Sequence, residues 1–426
     1  MTDHDLRNLL QEFAVLRADG EPVVTVYLDT RWADEQQRER ARVFVHEQAK
    51  RELDAHAAHP QREALARTLA RIEASVVDRI AAHDSPAKGI AIFACEALRL
   101  WRVLELPQAV ATKLCTGMRP QLLPLARLLD DVEPAIIAVV HASGARVYET
   151  ALGGVVAQAV IEGPVPRSYQ AAGFEPSPGV GRQGSPGNAR GSGEGFQYER
   201  AGKNQRAYKQ TIQRNLAAAA AYVTQRFDQR PCHLVLVGPR EKTAAFEREL
   251  PERARARVIA RRPEPQASSA GHDRPSVRDQ LLAQTLAALA AKEREQEERN
   301  VALAVGQAKR GGLAVLGPDE VVLAVNERRV YRLILEDDFA RSGWLCRNCD
   351  AIGVTHADRC TYCQGELAWV KELGEEIAGR VLADDGEVEI VPHDQRLHVF
   401  HGVAAMLRQA RGGFGVSEAV ATGAPG

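Results

Sequence analysis

Residues 134–163 read PAIIAVVHASGARVYETALGGVVAQAVIEG, and this stretch decides the fold of the middle of the chain. It holds three runs of apolar and β-branched residues, at 135–140, 145–150 and 155–161. Short turns that contain glycine separate the runs. Such spacing is typical of antiparallel strands joined by tight turns, so the stretch predicts a three-stranded meander.

The residues after the meander extend it into a layered domain. A glycine-rich segment at 173–195 leads to a helical pattern at about 197–227 and then to a buried-strand pattern, HLVLVG, at 233–238. A strand that is reached through a crossover helix pairs in parallel. Together these elements predict an RNase-H-like α/β domain over residues 132–268.

Before the meander, the sequence predicts a separate α/β domain over residues 1–131. PVVTVYLD alternates as a strand, and two charged stretches, at 34–56 and 61–83, have helical patterns. Two further apolar runs, KGIAIFAC and LRLWRVLEL, flank Glu96 and Ala97 and are typical of a β-hairpin.

After a linker rich in proline, serine and glycine, the sequence predicts a third domain over residues 269–412 and a disordered tail at 413–426. The expected elements are, in order, a helix at 277–299, a helix that starts at Pro318, the strand VYRLILE, the helix KELGEEIAGRVLADD, the strand EVEIVP and the helix HGVAAMLRQ. This alternation predicts an α/β/α sandwich with a zinc ribbon, residues 344–366, inserted at the end of a central strand. The whole chain is expected to be a multidomain α/β protein.

Four of the seven cysteines form two CxxC pairs, Cys346 with Cys349 and Cys360 with Cys363. Each pair presents two thiolates to one ion, and the hairpin between the pairs brings them face to face. Two disulfides are the alternative, but the N-terminus lacks the pattern of a secretion signal. The spacing therefore predicts a four-cysteine zinc site with a structural role, because four thiolates leave no position for water. The other cysteines lie in apolar surroundings and are expected to be buried thiols: Cys95, Cys115 and Cys232.

Composition and charge exclude several classes of protein. The chain has 426 residues, 45% of them hydrophobic, which is enough for more than one core. Its net charge of −1 excludes a uniformly basic nucleic-acid coat, so any RNA contact must come from a local patch. No apolar run approaches the ~18 residues that a membrane span needs. We therefore expect a cytoplasmic protein without membrane contact.

The glycine-rich segment supplies such a patch. It reads GFEPSPGVGRQGSPGNARGSGEG and contains eight glycines, so it is either an inert linker or a flexible working part. Residues 167–214 carry eight basic and three acidic side chains, a net charge of +5 that favours contact with RNA phosphates. Tyr198 and Tyr208 either stack on nucleotides or pack against the domain. The residues expected to bind RNA are Arg182, Arg190, Arg200, Lys203, Arg206 and Lys209.

The order of these parts resembles the archaeal and eukaryotic class of peptide-chain release factors and their Pelota relatives. The resemblance is closer to the divergent bacterial members of that superfamily. The meander, the glycine-rich segment with its glutamine, the basic helix, HLVLVGP and the order GGLAVLG, VYRLIL, zinc knuckles, VEIVP and GVAAMLR carry it. It covers the last two-thirds of the chain best, and the stop-codon-reading motif of the family is not visible in residues 1–131. The resemblance implies a monomer that binds the ribosome, contacts rRNA and peptidyl-tRNA, and meets a translational GTPase through the third domain.

In that family a Gly-Gly-Gln loop places water against the ester of peptidyl-tRNA, which is a task of positioning. The nearest match is Gly181, Arg182 and Gln183, followed by Gly184. The resemblance implies that Gln183 orients water while Gly181 and Gly184 supply backbone freedom, and that the protein acts in ribosome rescue or peptide release. Arg182 stands where the hydrolases have glycine, which favours the alternative of a non-enzymatic hibernation factor in the ribosomal A site. Whether the chain is an enzyme stays open at this point.

Near the C-terminus, His398 and His401 stand three residues apart. Histidine pairs bind metal ions, but no acidic residue or cysteine is spaced along the sequence to complete a site here. The sequence therefore predicts a surface or structural role for this pair.

Overall fold

The computed structural model of the chain describes residues 2–32, 34–81, 87–131, 133–164, 194–265 and 276–409, with the backbone alone for residues 194–205. These residues form two compact units. The first unit combines the residues up to Asp131 with those from Ala291 onward, and the second is Val132–Ala290. The protein is a multidomain α/β protein with several sheets, as the sequence predicts. The linker is predicted over residues 262–275; its residues 266–275 and the predicted tail lie outside the described residues.

The N-terminal part of the first unit is a four-stranded antiparallel sheet with helices on it. Its elements are α1 Asp3–Ala14, β1 Val23–Asp29, α2 Glu35–Ala55, α3 Arg62–Ala81, β2 Gly89–Cys95, β3 Leu100–Leu106, β4 Lys113–Gly117 and α4 Leu123–Asp131. The strand order is β3-β2-β1-β4, and β2 pairs with β3 as the predicted hairpin. Strand β1 is buried on both faces, because Val24 and Val26 pack with α2 and α3 while Tyr27 meets Phe93 edge-on. The predicted strand, hairpin and two charged helices are confirmed.

The second unit is a five-stranded sheet with the order β7-β6-β5-β8-β9. Its elements are β5 Ala135–His141, β6 Gly144–Ala151, β7 Gly154–Glu162, α5 Glu194–Gln229, β8 His233–Val237, α6 Arg240–Glu249, α7 Glu252–Arg255, β9 Val258–Arg262 and the beginning of α8 Val277–Lys309. The predicted meander of β5, β6 and β7 is confirmed, and β8 pairs in parallel with β5 and with β9.

Both faces of this sheet are covered, which explains why β5 is apolar from Ala135 to Val140. Ile136 and Val140 pack with Leu216 of α5 on one face. Val139 packs with Leu281 of α8 on the other face. A strand buried on both sides reads as a continuous apolar run instead of an alternating one.

The C-terminal part of the first unit has a four-stranded sheet and a separate three-stranded sheet. Its elements are β10 Ala314–Leu316, α9 Pro318–Asn326, β11 Val330–Glu336, β12 Gly343–Cys346, β13 Ile352–Gly353, β14 Leu367–Val370, α10 Leu373–Ala383, β15 Glu387–Val391, α11 Gln395–His398 and β16 Val403–Leu407. The larger sheet has the order β10-β16-β11-β15, in which β11 and β15 are parallel. The smaller sheet, β13-β12-β14, follows the central strand β11 in the chain.

One predicted element is wrong. HGVAAMLRQ is a strand, β16, and not a helix. Alanine, methionine and leucine favour helix intrinsically, but β16 lies between β10 and β11 and all five of its residues are buried. Pairing on both edges outweighs the local preference here. The helix predicted at 277–299 also continues further than expected, to Lys309.

Glu375 of α10 connects the two parts of the first unit. Its side chain is 10% exposed and accepts hydrogen bonds from the backbone N–H groups of Leu122 (2.9 Å) and Leu123 (3.0 Å), at the start of α4. Free N–H groups at a helix start favour such an acceptor. Burial nevertheless dominates and raises the pKa of Glu375 to about 7, although the two N–H groups and Lys113 act in the opposite direction.

We expect this carboxyl to make stability depend on pH. Since burial raises its folded-state pKa from 4.5 to about 7, its contribution is complete below pH 4.5 and is lost as the pH rises through about 7. The free energy of unfolding should therefore fall across this window by up to about 3 kcal/mol. Glu375→Gln keeps an oxygen acceptor but cannot ionise, so its denaturation curves should lack this part of the slope. The exposed Glu12→Gln variant should keep it, and equal slopes in wild type and Glu375→Gln would contradict the assignment.

Candidate functional site

The segment predicted to carry the function lies between β7 and α5. Residues 165–193 lie outside the described residues, and so do five of the predicted site residues: Gly181, Arg182, Gln183, Gly184 and Arg190. The backbone of Arg200 and Lys203 lies on α5, while their side chains lie outside the described part, as does that of Tyr198. The structure therefore describes the point where the segment begins and the helix to which it leads.

Asn215 of α5 fixes the point where the segment begins. Its side chain is 7% exposed and donates hydrogen bonds from Nδ2 to the carbonyl oxygens of Pro164 (3.2 Å) and Ala142 (3.4 Å). Gly163 lies against it so closely that a Cβ on Gly163 would stand 2.2 Å from Asn215 Oδ1. The local sequence does not indicate this role, because Asn215 is one polar residue within a long helical pattern.

Helix α5 presents part of the predicted basic patch to solvent. Arg206 and Lys209 are exposed, three residues apart and thus on neighbouring positions of one helix face. Tyr208 is half-buried and packs against the core of the second unit, which favours the packing interpretation for this residue. At this end of the described side chains, α5 therefore exposes the basic residues Arg206 and Lys209, while the Tyr208 ring packs on the core and is not presented for stacking on a nucleotide.

The four predicted metal-ligating cysteines lie together. Their Sγ atoms are all within 4.8 Å of one another, and Cys346 to Cys363 and Cys349 to Cys360 are each 3.5 Å apart. Thiolates around a tetrahedral zinc ion stand about 3.8 Å apart, given a Zn–S distance of about 2.3 Å. The cluster therefore has the dimensions to hold one metal ion.

Backbone N–H groups point at the sulfur atoms, as a thiolate site requires. Cys346 Sγ accepts from the backbone N–H groups of Asn348 and Cys349, each at 3.4 Å, and Cys360 Sγ accepts from that of Tyr362 at 3.4 Å. Cys346 and Cys360 are buried, so these donors stabilise negative charge where water has little access. The donor set is a closed shell of four sulfur atoms, which fits a structural metal ion.

An aspartate that directly follows the first cysteine pair binds three arginines. The carboxylate of Asp350 lies 3.1 Å from Arg17, 2.5 Å from Arg119 and 3.2 Å from Arg380. Asp350 has a positive φ of 63°, a conformation that aspartate tolerates better than most residues. Its partners are distant along the chain, so the sequence does not reveal the cluster.

The remaining cysteines behave as the sequence predicts. Cys95 and Cys232 are buried and Cys115 is half-buried. Burial raises the pKa of all three thiols, that of Cys232 to about 12. Because the thiolate is the nucleophile, these cysteines are not activated for chemistry.

The chain is similar in sequence to one family and in structure to several translation factors. The sequence model of bacterial archaeo-eukaryotic release factor family 10 matches residues 120–288. An archaeal translation termination factor, aRF1, is 15% identical, with 96% of this chain and 99% of that chain covered and a TM-score of 0.23. Pelota of Archaeoglobus fulgidus is 16% identical, with 73% and 77% covered and a TM-score of 0.32. Dom34 of S. cerevisiae is 12% identical, with 74% of each chain covered and a TM-score of 0.36.

These TM-scores are too low to assign a role from structure, and none of the curated proteins matches. The family match stands by itself, and it spans the meander, the glycine-rich segment and α5. Residues 120–288 are therefore similar in sequence to the superfamily of archaeo-eukaryotic release factors. Within that superfamily, the matched part corresponds to bacterial family 10. No helix in the described part of the chain is both long and apolar enough to span a membrane.

The contact of Gly163 with Asn215 predicts the effect of a single methyl group. Gly163→Ala should destabilise the second unit by about 1–3 kcal/mol in chemical denaturation, because the added Cβ overlaps Asn215 Oδ1. In an Asn215→Ala background the same substitution should cost much less, which gives a measurable coupling energy. Gly379→Ala is the matched control, since a Cβ there meets nothing within 4 Å. An equal cost of Gly163→Ala in both backgrounds would show that Asn215 does not hold this position.

Proposed function

We propose that the protein binds the ribosome and acts in ribosome rescue or peptide release, by promoting hydrolysis of peptidyl-tRNA in the peptidyl-transferase centre. The observation that carries the proposal is the release-factor family match over residues 120–288. That range contains the glycine-rich segment and the two elements that flank it in the chain, β7 and α5. The proposal assigns the chemistry to this segment.

Charge supports a contact between this part of the chain and RNA. Residues 167–214 carry a net charge of +5 within a chain of net charge −1. Arg206 and Lys209 are exposed on α5, where phosphate groups have access to them. Arg182, Arg190, Arg200 and Lys203 extend the same positive run along the sequence.

In the proposed reaction Gln183 positions water, and Gly181 and Gly184 give the backbone the freedom to bring that glutamine to the ester. A neutral amide is a poor acid or base, so its contribution is orientation, and misplacement by about 1 Å costs about 10²-fold in rate. The contact of Asn215 with Gly163 and Pro164 supports such positioning, because it holds the residues from which the segment begins.

Arg182 favours a second candidate function. It occupies the central position of the Gly-Arg-Gln sequence, where a Gly-Gly-Gln loop has glycine. A Cβ and a long cationic side chain restrict the backbone and add a phosphate contact. In this alternative the protein is a non-enzymatic hibernation factor that occupies the A site of idle ribosomes.

The proposal extends to a cofactor and a partner of the first unit. The four cysteines would hold a structural zinc ion, since the sulfur separations and the N–H donors fit a closed thiolate shell. A translational GTPase would contact the C-terminal part of the first unit, and the protein would act as a monomer in the cytoplasm.

Peptide release on ribosomes tests the proposal. We expect the full chain to release labelled peptide from ribosomes that carry peptidyl-tRNA in the P site. Gln183→Ala should slow release by about 10²-fold without weakening co-sedimentation with ribosomes, because positioning is lost and binding is not. Gln197→Ala, on the first turn of α5, is the matched control and should release peptide at the wild-type rate.

Binding separates the two functions. Co-sedimentation without release by wild type would favour the hibernation factor over the hydrolase. Arg206→Glu with Lys209→Glu should weaken co-sedimentation and reduce its dependence on salt, because two phosphate contacts are lost. Failure of the wild-type protein to co-sediment even at low salt would overturn the ribosome proposal.

Zinc content tests the cofactor. Cys346→Ser and Cys360→Ser should each abolish zinc binding in metal analysis of the purified chain. They should also lower the Tm of the first unit by more than about 5 °C, because a structural metal contributes folding free energy and Asp350 is anchored beside it. Cys115→Ser removes a thiol outside the cluster and should leave the zinc content unchanged. Wild-type zinc content in both cluster variants would contradict the assignment.

A further inference from the structure

A second group of potential metal ligands lies in the first unit, away from the four cysteines. Glu336, His393 and His398 each present one ligand atom, and these atoms lie within 4.8 Å of one another. His398 Nδ1 is 2.9 Å from Glu336 Oε2, and His393 Nδ1 is 3.7 Å from Glu336 Oε1. Ligands around a tetrahedral zinc ion stand about 3.4 Å apart for bond lengths near 2.1 Å. The 3.7 Å separation is close to that value, while the 2.9 Å contact is a hydrogen bond that a bound ion would replace.

This group could not be predicted from local spacing, because Glu336 precedes His398 by 62 residues. His393, and not His401, lies beside His398 in this group. The rings of His393 and His398 are 4.4 Å apart between centroids. Glu336, at the end of β11, supplies the acidic partner that the local sequence lacks.

The position in the sheet brings the three ligands together. Glu336 is the last residue of β11, and His393 follows the end of β15, which is parallel to β11. The carboxyl ends of parallel strands meet at one edge, where α/β sheets commonly bind ligands. The short helix α11 then returns His398 to the same edge.

Burial of Glu336 creates a demand for positive charge. The residue is 3% exposed, and its Oε1 accepts a hydrogen bond from the backbone N–H of Asp394 at 3.0 Å. In the described part of the chain its ion-pair partners are the two imidazoles of His393 and His398. A buried carboxylate is costly unless positive charge lies nearby, and a divalent cation supplies such charge.

The space around the carboxylate is kept clear by a glycine. Gly402 has a φ of 72°, and a Cβ on it would stand 2.7 Å from Glu336 Oε2. The imidazoles are about half exposed, 52% for His393 and 57% for His398, so the group is accessible to solvent. Three protein ligands on an open edge leave a coordination position for water or for an oxygen or nitrogen atom of a partner.

We infer that Glu336, His393 and His398 form a binding site for a divalent transition-metal ion of the zinc type. The site shares no ligand with the four-cysteine cluster. One carboxylate and two imidazoles are a ligand set that zinc accepts in sites with an open position. The ion joins the ends of β11 and β15 to α11, and its open position accepts an exogenous ligand.

Metal stoichiometry of the full chain tests this inference. After equilibrium dialysis against Zn²⁺ and removal of excess ion, wild type should hold one zinc equivalent more per chain than His393→Ala with His398→Ala. The comparison is a difference, so it does not depend on what the cysteine cluster holds. Both substituted side chains are about half exposed, and circular dichroism and Tm should confirm that the variant is folded.

Two further variants sharpen the test. Glu336→Gln should also lose one equivalent, while the matched control His401→Asn should keep it, because His401 has a φ of 64° that asparagine adopts readily. Co²⁺ gives a second readout, since its visible bands differ between a thiolate site and a nitrogen–oxygen site. Equal zinc content in wild type and the double-histidine variant would overturn the inference, and so would loss of the extra equivalent in His401→Asn alone.

Discussion

The first unit depends on one carboxylate. Asp350 binds the guanidinium groups of Arg17, which follows α1, of Arg119, which follows β4, and of Arg380 on α10. Asp350 directly follows Cys349, close to the three-stranded sheet β13-β12-β14. The same residue therefore connects this sheet to the N-terminal part of the unit and to α10. All three arginines are largely buried, and removal of one partner from a buried ion cluster typically costs 3–5 kcal/mol. This cluster and the buried Glu375 explain physically why residues distant in sequence, before Asp131 and after Ala291, share one compact unit.

Much of the fold could be predicted from the sequence wherever local pattern and tertiary environment agree. The meander at 135–161 and the hairpin of β2 and β3 are examples, because short turns place their strands side by side without distant information. Strand β16 shows the opposite case. Its residues favour helix, and only its neighbours β10 and β11, which lie far away in the chain, make it a strand. Local propensity is a weak preference that such pairing overrides.

The candidate sites likewise differ in whether the local sequence could predict them. The cysteine cluster could be predicted because its ligands come in two local pairs, so spacing alone carries the geometry. Asn215, Asp350 and Glu336 could not be predicted, because each acts on residues that the fold brings to it from 30 or more positions away. The function proposed for the glycine-rich segment rests on Gln183 and Arg182, and both residues lie outside the described part of the chain.

The two groups of potential metal ligands in the first unit differ in ligand number and exposure, and these differences suit them to different roles. The cysteine cluster has four ligands, two of them buried, so an ion there is enclosed and serves the fold. The Glu336 group has three ligands and an open side, so an ion there exchanges with solvent and meets partners. A short connection joins them, since Glu336 ends β11 and Gly343 begins β12. This connection is bonded to β15 through the N–H of Asp337 and to α10 through the carbonyl of Arg341. A ligand that moved Glu336 would therefore act on the three-stranded sheet β13-β12-β14 through this connection, whose backbone is held by these two hydrogen bonds.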